Sequence, residues 1–212
     1  MITNDELKKI LRSRERKRKK PIPELTVNSF EKGIQIWDHP DVLHFFNERA
    51  MTWIPQKRTA VFLPCSAHKP YFYSQSHSKG YLKALLPYFD EIDIQVISEP
   101  MGVVPYCYSN TYPVDSYDYN PNDYFIGNLR NPKSIRSRDI FIQRVARWIK
   151  KYHNLYERKL LILPAIWHLK IFKKAIQVAK VDKQEYQIVR LRGRAHISVD
   201  YMNEQLAEFF KR

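Results

Sequence analysis

The most constraining feature of this sequence is an alternation of short apolar runs with helical segments, beginning at residue 59. Apolar runs typical of strands lie at 59–64, 92–98, 159–164 and 186–191. Helical periodicity is found at 75–87, 134–154, 166–179 and 199–211. Strands that alternate with helices indicate a mostly parallel sheet covered on both faces. The sequence therefore predicts an α/β fold with a mostly parallel central sheet flanked by helices.

A basic segment precedes this α/β pattern. Helical signals extend over residues 3–20, and Pro21 and Pro23 end the segment. We interpret it as a phosphate-contacting arm formed by Arg12, Arg14, Arg16, Lys17, Arg18, Lys19 and Lys20. The alternative is a solvated tail that binds nothing specific. The chain is accordingly divided into a basic helical arm at 1–23 and a single α/β catalytic domain at 24–212.

The overall charge favours a polyanionic partner. Lys and Arg number 36 and Asp and Glu 22, which gives a net charge of +14. Such a field attracts nucleic acid first and anionic membrane second. No apolar run approaches the roughly 18 residues of a membrane helix, so we expect a soluble, cytoplasmic protein without a membrane partner. With two cysteines, no CxxC pair and no HExxH or Gly-rich phosphate loop, we predict neither a metal nor a cofactor.

Polar residues follow the ends of three predicted strands. Cys65 follows the first strand, Glu99 the second, and a Pro-Ala-Ile-Trp-His run ending at His168 the third. Ligands of parallel sheets bind beyond the carboxyl ends of the strands, so Cys65, Glu99 and, as a further candidate, His168 are expected at one edge. Cys65 is either a nucleophile activated by a nearby cation or a buried structural thiol.

A second polar stretch, residues 103–133, is rich in Tyr, Pro, Asn and Asp and is predicted to be irregular. Its tyrosines, among them Tyr112 and Tyr117, have the character of base-stacking residues of single-stranded RNA readers. The alternative is a rigid loop packed by tyrosines. An acid within it, such as Asp118, has the chemistry to hold a base edge or to move a proton.

The loop after the first strand carries a specific spacing of residue types. The fixed positions are Pro64, Cys65, Lys69, Pro70, Tyr71, Ser74 and His77. This spacing resembles the signature of archaeosine synthase, a relative of the archaeal tRNA-guanine transglycosylases. The stretch 98–105, followed by Tyr112-Pro113 and Tyr117-Asp118, is similar to a second segment of that family. The two segments together span about residues 59–118.

The resemblance implies amine addition to the nitrile of 7-cyano-7-deazaguanine in the tRNA D-loop, with free lysine as the expected amine donor and a radical S-adenosylmethionine subunit as a partner. It implies these catalytic residues: Cys65, Lys69, His77 and Asp118. It implies these substrate-binding residues: Ser66, Tyr71, Ser74, Glu99, Tyr112 and Tyr117. Either a Cys65 thiolate attacks the nitrile and an amine displaces it, or the amine attacks directly.

Other functions remain open on the sequence. Full-length family members are longer and carry transglycosylase-like and PUA regions, so we expect the catalytic core only, with tRNA held by the basic arm or by another chain. One alternative is a non-catalytic tRNA-binding subunit. The other is a base-excising or base-exchanging enzyme on a similar α/β scaffold.

Overall fold

The computed structural model describes residues 1–13, 19–119, 131–163, 166–189 and 199–211, and its centre is a five-stranded sheet. The strands are β1 (Thr59–Pro64), β2 (Ile92–Ser98), β3 (Gly102–Pro105), β4 (Arg158–Leu161) and β5 (Tyr186–Ile188). Their order is β3-β2-β1-β4-β5. All pairings are parallel except that between β2 and β3. The α/β prediction is confirmed.

Seven α-helices surround this sheet in the described residues. They are α1 (Asn4–Arg12), α2 (Phe30–Gln35), α3 (Pro40–His44), α4 (Leu82–Leu85), α5 (Pro132–Tyr152), α6 (Ile166–Ala179) and α7 (Val199–Lys211). Short π-helical turns extend α3 over Phe45–Ala50 and precede α4 over Ser76–Tyr81. None of the helices among these residues combines the length and apolarity needed to cross a bilayer.

The helices cover the sheet in two pairs. α5 packs against α6, and α4 packs against α7. The connections from β1 to β2 and from β4 to β5 run in opposite directions along the sheet, so right-handed crossovers place α4 and α6 on opposite faces. Phe62 of β1 contacts Trp148 of α5 and Phe172 of α6, which joins the centre of the sheet to one of these helical layers.

The strand order creates a switch point between β1 and β4. The chain leaves β1 toward β2 on one side, and it leaves β4 toward β5 on the other. Loops that follow two such strands diverge and leave a crevice at the carboxyl edge of the sheet, which is where open α/β sheets bind ligands. Cys65 follows β1 and α6 follows β4, so both reach this crevice.

Several element boundaries differ from the prediction. β3 lies where irregular structure was expected; Gly102, with φ of 92°, lets the chain reverse and pair with β2. A Cβ at Gly102 would lie 3.0 Å from the Arg144 Cβ. The third predicted strand, expected to reach residue 164, ends at Leu161. α2 was not predicted.

The basic arm is also less helical than predicted. Two apolar residues of the arm, Ile2 and Leu7, are buried against the rest of the protein. α1 ends at Arg12, because Ser13 adopts an extended conformation. Beyond Leu11 the segment offers no further apolar face to pack. Residues 14–18 lie outside the described residues, and Lys19 and Lys20 are not helical.

Candidate functional site

Three polar side chains meet at the crevice beyond β1, β2 and β4, and we call them the reaction centre: Cys65, Glu99 and His168. The Cys65 thiol donates to Glu99 Oε2 at 3.4 Å, and its sulfur lies 3.7 Å from His168 Nε2. His168 Nε2 lies 3.1 Å from the same carboxylate oxygen. Glu99 and His168 are buried and Cys65 is half-buried. The convergence of these three residues, expected from their positions after strands, is confirmed.

Electrostatics make Glu99 and His168 an ion pair. Burial lowers the pKa of His168, but the charge of Glu99 and the hydrogen bonds to Cys65 and Glu99 raise it well above its ordinary value. Burial raises the pKa of Glu99, yet the His168 charge and hydrogen bond give a net lowering. Both directions favour carboxylate and imidazolium, because each charge compensates the desolvation of the other.

Two neighbours fix Glu99 in this geometry. Trp167 Nε1 donates to the second carboxylate oxygen, Oε1, at 3.1 Å. Arg144, buried in α5, donates to the carbonyl of Pro100, the residue after Glu99. With Oε1 bonded to Trp167, Glu99 Oε2 is directed at Cys65 and His168.

His168 Nδ1 is buried and has no hydrogen-bond partner among the described residues.

The histidine of the loop signature occupies a different environment. His77 is completely buried; its Nε2 lies 3.0 Å from the Pro64 carbonyl and its Nδ1 lies 3.1 Å from the Tyr106 hydroxyl. A carbonyl can only accept, so Nε2 carries the proton and Nδ1 accepts from Tyr106. Burial lowers the pKa of His77 to about 3. His77 is thus a neutral link between the end of β1 and Tyr106, and its proposed acid–base role stays a prediction.

The signature tyrosine joins the same buried region. Tyr71 hydrogen-bonds Ser98 Oγ at 2.8 Å and the Tyr117 hydroxyl at 3.2 Å, and its ring stacks on His77. Burial raises the pKa of Tyr71 and of Tyr117. We call Tyr71, His77, Ser98, Tyr106 and Tyr117 the tyrosine network. Its members bond to one another, and the two predicted substrate-binding tyrosines among them, Tyr71 and Tyr117, are buried.

Lys69 is held against this network. Its side chain is buried, and its Nζ donates to the Ser66 carbonyl. The same Nζ lies 4.2 Å from the ring centroid of Tyr117 and 5.2 Å from that of Tyr71. A buried ammonium on two aromatic faces is compensated by cation–π attraction. The Lys69 side chain closes the turn that begins at Ser66.

The other predicted site residues are spread over the loop and its surroundings. Ser74 is buried and its Oγ accepts from the His77 amide at 3.2 Å, while the Ser66 Oγ donates to the His68 carbonyl. Tyr112 is 50% exposed and bonds to Asp41. The Asp118 backbone bonds to Leu25 and Val27. In the described part of the chain, the Tyr112 hydroxyl is thus bonded to Asp41, and the Asp118 backbone pairs with the segment around Thr26.

The described part of the arm reaches the same region. Lys19 forms an ion pair with buried Asp115, and its amide donates to the Lys69 carbonyl at 3.3 Å. Arg12 and Lys20 are exposed. The remaining predicted phosphate contacts lie outside the described residues; they are Arg14, Arg16, Lys17 and Arg18. Lys19 thus ties the arm to the signature loop.

Three residues that shape the site received no defined role from the sequence. His168 was only a further candidate, and Trp167 and Arg144 were assigned nothing. The position of Trp167 and His168 after the third predicted strand was the available signal. Arg144 looks in sequence like any basic residue of a helix, and only its burial distinguishes it.

The comparisons with known proteins concern this part of the chain. Residues 42–125 match a family described as a domain of unknown function, DUF5591. Archaeosine synthase subunit alpha of Thermoplasma acidophilum is 37% identical over 82 residues, which is 37% of this chain and 16% of that protein. The protein of the same name from Methanosarcina acetivorans is 41% identical over 64 residues, which is 30% of this chain and 10% of that protein.

The chain thus matches less than a fifth of the length of these relatives. One similar solved structure is the crystal structure of AF0587, a protein of unknown function. The alignment covers 80% of this chain and 50% of the AF0587 chain, with a TM-score of 0.46 and 20% sequence identity. The matched segment contains Cys65, Glu99 and the complete loop signature. Over this segment, the chain is similar to archaeosine synthase subunit alpha.

Proposed function

We propose that this protein acts in archaeosine biosynthesis, adding an amine to the nitrile of 7-cyano-7-deazaguanine in the D-loop of tRNA. The observation that carries the proposal is the reaction centre of Cys65, Glu99 and His168 at the end of the strand that opens the signature loop. The names of the two curated relatives support the pathway. Free lysine is the proposed amine donor, through its side-chain amine.

The reaction is an addition, and its atoms balance without a leaving group. The lone pair of a neutral amine forms a bond to the nitrile carbon, one π bond of the nitrile breaks, and the nitrile nitrogen takes a proton. The added amine then loses one, which leaves an amidine. Catalysis requires a base for the incoming ammonium and an acid for the nitrile nitrogen. Glu99 and His168 form a buried pair that can exchange protons in both directions.

Two routes lead to the amidine. In the covalent route Cys65 adds to the nitrile carbon to give a thioimide, and the amine then displaces the thiol. In the direct route the amine attacks the nitrile while Cys65 contributes to the centre without bonding to substrate. In either route we assign His77 and Lys69 the task of holding the loop, because their polar atoms are bonded within it.

A hollow beside Cys65 is the proposed site of the deazaguanine. Its volume is about 480 Å³, and it is lined by Ser66, Ala67, His68, Tyr73, Ser74, Gln75 and Ser76. Ser66 directly follows Cys65, so this hollow adjoins the chain segment that carries the thiol. Tyr73 is half-buried and offers a ring for stacking, and the serine hydroxyls offer hydrogen bonds to a splayed base.

A line of lysines on α6 is the proposed continuation of the RNA surface. Lys170, Lys173 and Lys174 are exposed at the helical spacing that places them on one face. α6 contains no acidic residue, and no ion pair of these lysines occurs within the described residues. His168 lies in the first turn of the same helix and is buried, so the lysines occupy the solvent-facing side of α6 and, with the basic arm, suit a phosphate backbone.

Mass spectrometry of tRNA bearing the nitrile base, after incubation with the protein and lysine, tests the function. We expect a mass gain equal to one lysine, absent when the tRNA carries guanine at that position. Salt-sensitive binding without a mass change would support a non-catalytic tRNA-binding subunit instead. Release of free base would support a base-excising or base-exchanging enzyme.

A partner subunit of the radical S-adenosylmethionine class is proposed to act after the addition. Addition of lysine leaves an amidine that still carries the lysine carbon chain, so a bond-cleaving step must follow. The relatives are named as subunits, which supports action within a complex. Conversion of the purified adduct only when that subunit is added would bear this out, and conversion by this protein alone would contradict it.

A further inference from the structure

Three different metal-binding atoms of the reaction centre converge on one point. Cys65 Sγ, Glu99 Oε2 and His168 Nε2 are separated by 3.4 Å, 3.7 Å and 3.1 Å. Around a tetrahedral zinc ion, the bond lengths place sulfur about 3.5 Å from nitrogen or oxygen, and nitrogen about 3.3 Å from oxygen. The three observed separations therefore match three edges of a zinc coordination tetrahedron.

The three side chains are held in place by neighbouring groups, as metal ligands usually are. Trp167 binds the other oxygen of Glu99, which leaves Oε2 directed at the shared point. Metal ligands are commonly oriented by such outer hydrogen bonds. The three ligands come from the ends of β1 and β2 and from α6, which follows β4, so the point lies at the switch point of the sheet. Each of these strands is paired on both sides, and this restricts the movement of the ligands.

We propose that Cys65, Glu99 and His168 bind one divalent metal ion, best matched by Zn²⁺. The donor set of one thiolate, one imidazole and one carboxylate is typical of zinc, and three protein ligands leave a fourth position open. A thiolate and a carboxylate together neutralise the two charges of the ion, which limits the penalty for burying it. On binding, Zn²⁺ displaces the proton of the Cys65 thiol and the proton of the imidazolium, and both go to solvent.

This inference depends on the geometry alone and does not require the proposed function. It changes the sequence-based expectation of no metal, which was drawn from the absence of local motifs such as CxxC. The ligands here are 34 and 69 residues apart in sequence, so no short motif could reveal them. A Cys65 thiolate that ligates an ion is not free to attack the nitrile, so metal binding favours direct attack by the amine. Glu99 Oε2 and His168 Nε2 are then ligands, so the proton exchange proposed for this pair applies to the metal-free protein.

Substitution of Co²⁺ for Zn²⁺ tests the site with a built-in control, because the chain has two cysteines. After removal of metal with a chelator, we expect one equivalent of Co²⁺ to give a thiolate-to-cobalt charge-transfer band and the intense visible bands of tetrahedral Co²⁺. The band should be retained in Cys107→Ser and lost in Cys65→Ser. Cys107 is a suitable control because it is the other half-buried free thiol.

Competition with Zn²⁺ then gives the affinity. We expect His168→Gln and Glu99→Gln each to weaken Zn²⁺ binding by at least about 100-fold, more than is typical when an outer hydrogen-bond partner is removed. Circular dichroism checks that each variant is folded. Folded wild-type protein that gives no charge-transfer band, or a band that survives Cys65→Ser and disappears in Cys107→Ser, overturns the proposal. The tRNA mass assay is separate, so failure of the metal site and failure of the proposed function are distinguishable.

Discussion

The reaction centre and the tyrosine network are neighbouring polar clusters that use their polar groups in opposite ways. In the tyrosine network, donors and acceptors are paired with one another, as in the bonds of His77 to Pro64 and Tyr106. In the reaction centre, three side-chain atoms face one point, and the half-buried Cys65 keeps that point close to the surface. The signature loop supplies residues to both, so its fixed positions divide between the two clusters.

The largest expected effect is a loss of amine-adding activity when the reaction centre is changed and the tyrosine network is left intact. Cys65→Ser should reduce amine addition to the nitrile base at least about 100-fold, because Ser can serve neither as thiolate nucleophile nor as sulfur ligand. Its free energy of unfolding should change by less than about 1 kcal/mol, since the side chain is half-buried and nearly isosteric. Adduct mass spectrometry and urea unfolding measure the two. Near-normal turnover would mean that the Cys65 thiol is not required for the reaction. Cys107→Ser is the matched control.

The second effect is on stability. His77→Phe keeps a ring between Tyr71 and Tyr106 but leaves the Pro64 carbonyl and the Tyr106 hydroxyl without their partner. We expect the free energy of unfolding by urea to fall by about 2–4 kcal/mol. Tyr106→Phe removes only one of these bonds and should lower it by about half as much. Equal stability of His77→Phe and wild type would mean that the tyrosine network does not support the loop.

The third effect is the loss of stability on acidification that His77 of the tyrosine network contributes. Folded His77 has a pKa of about 3, against 6.5 for an ordinary histidine. Below pH 6.5 the unfolded state binds a proton that the folded state does not, so stability is complete above that pH and is lost as the pH falls toward 3.

The decrease in stability should approach about 1.4 kcal/mol per pH unit. The difference between wild type and His77→Phe isolates it, because other titrating groups are common to both proteins. Urea unfolding between pH 7 and pH 4 measures this difference. Parallel curves for the two proteins would contradict a buried neutral His77.

The smallest effect concerns tRNA binding outside both clusters. Replacing Lys170, Lys173 and Lys174 with Gln should lower the slope of log affinity against log salt by about 2–3, at roughly 0.9 for each phosphate that is no longer neutralised. The control removes the same charge from Arg58, Lys133 and Arg136, which are each paired with an acid. Filter binding at several salt concentrations compares them. Equal slopes in the two triple variants would mean that α6 is not a specific phosphate surface.

Much of the fold follows from local sequence patterns. The predicted bounds of β1 and β2 are those observed, and α6 covers the predicted 166–179. These elements are continuous apolar runs or regular amphipathic repeats, whose signal is contained within a few residues. β3 was missed because its pairing depends on Gly102 reversing the chain, and the helix of the arm was predicted too long because charge alone does not anchor a helix.

The sequence by itself determined the loop signature, the α/β class and the expectation that polar residues after strands would meet at one edge. Only the tertiary structure decided which signature residues face the reaction centre and which are enclosed, and it alone showed His168 in contact with Cys65, 103 residues away. The reason is physical: local periodicity specifies each strand and helix, whereas the distance between strand ends depends on their order in the sheet, here β3-β2-β1-β4-β5.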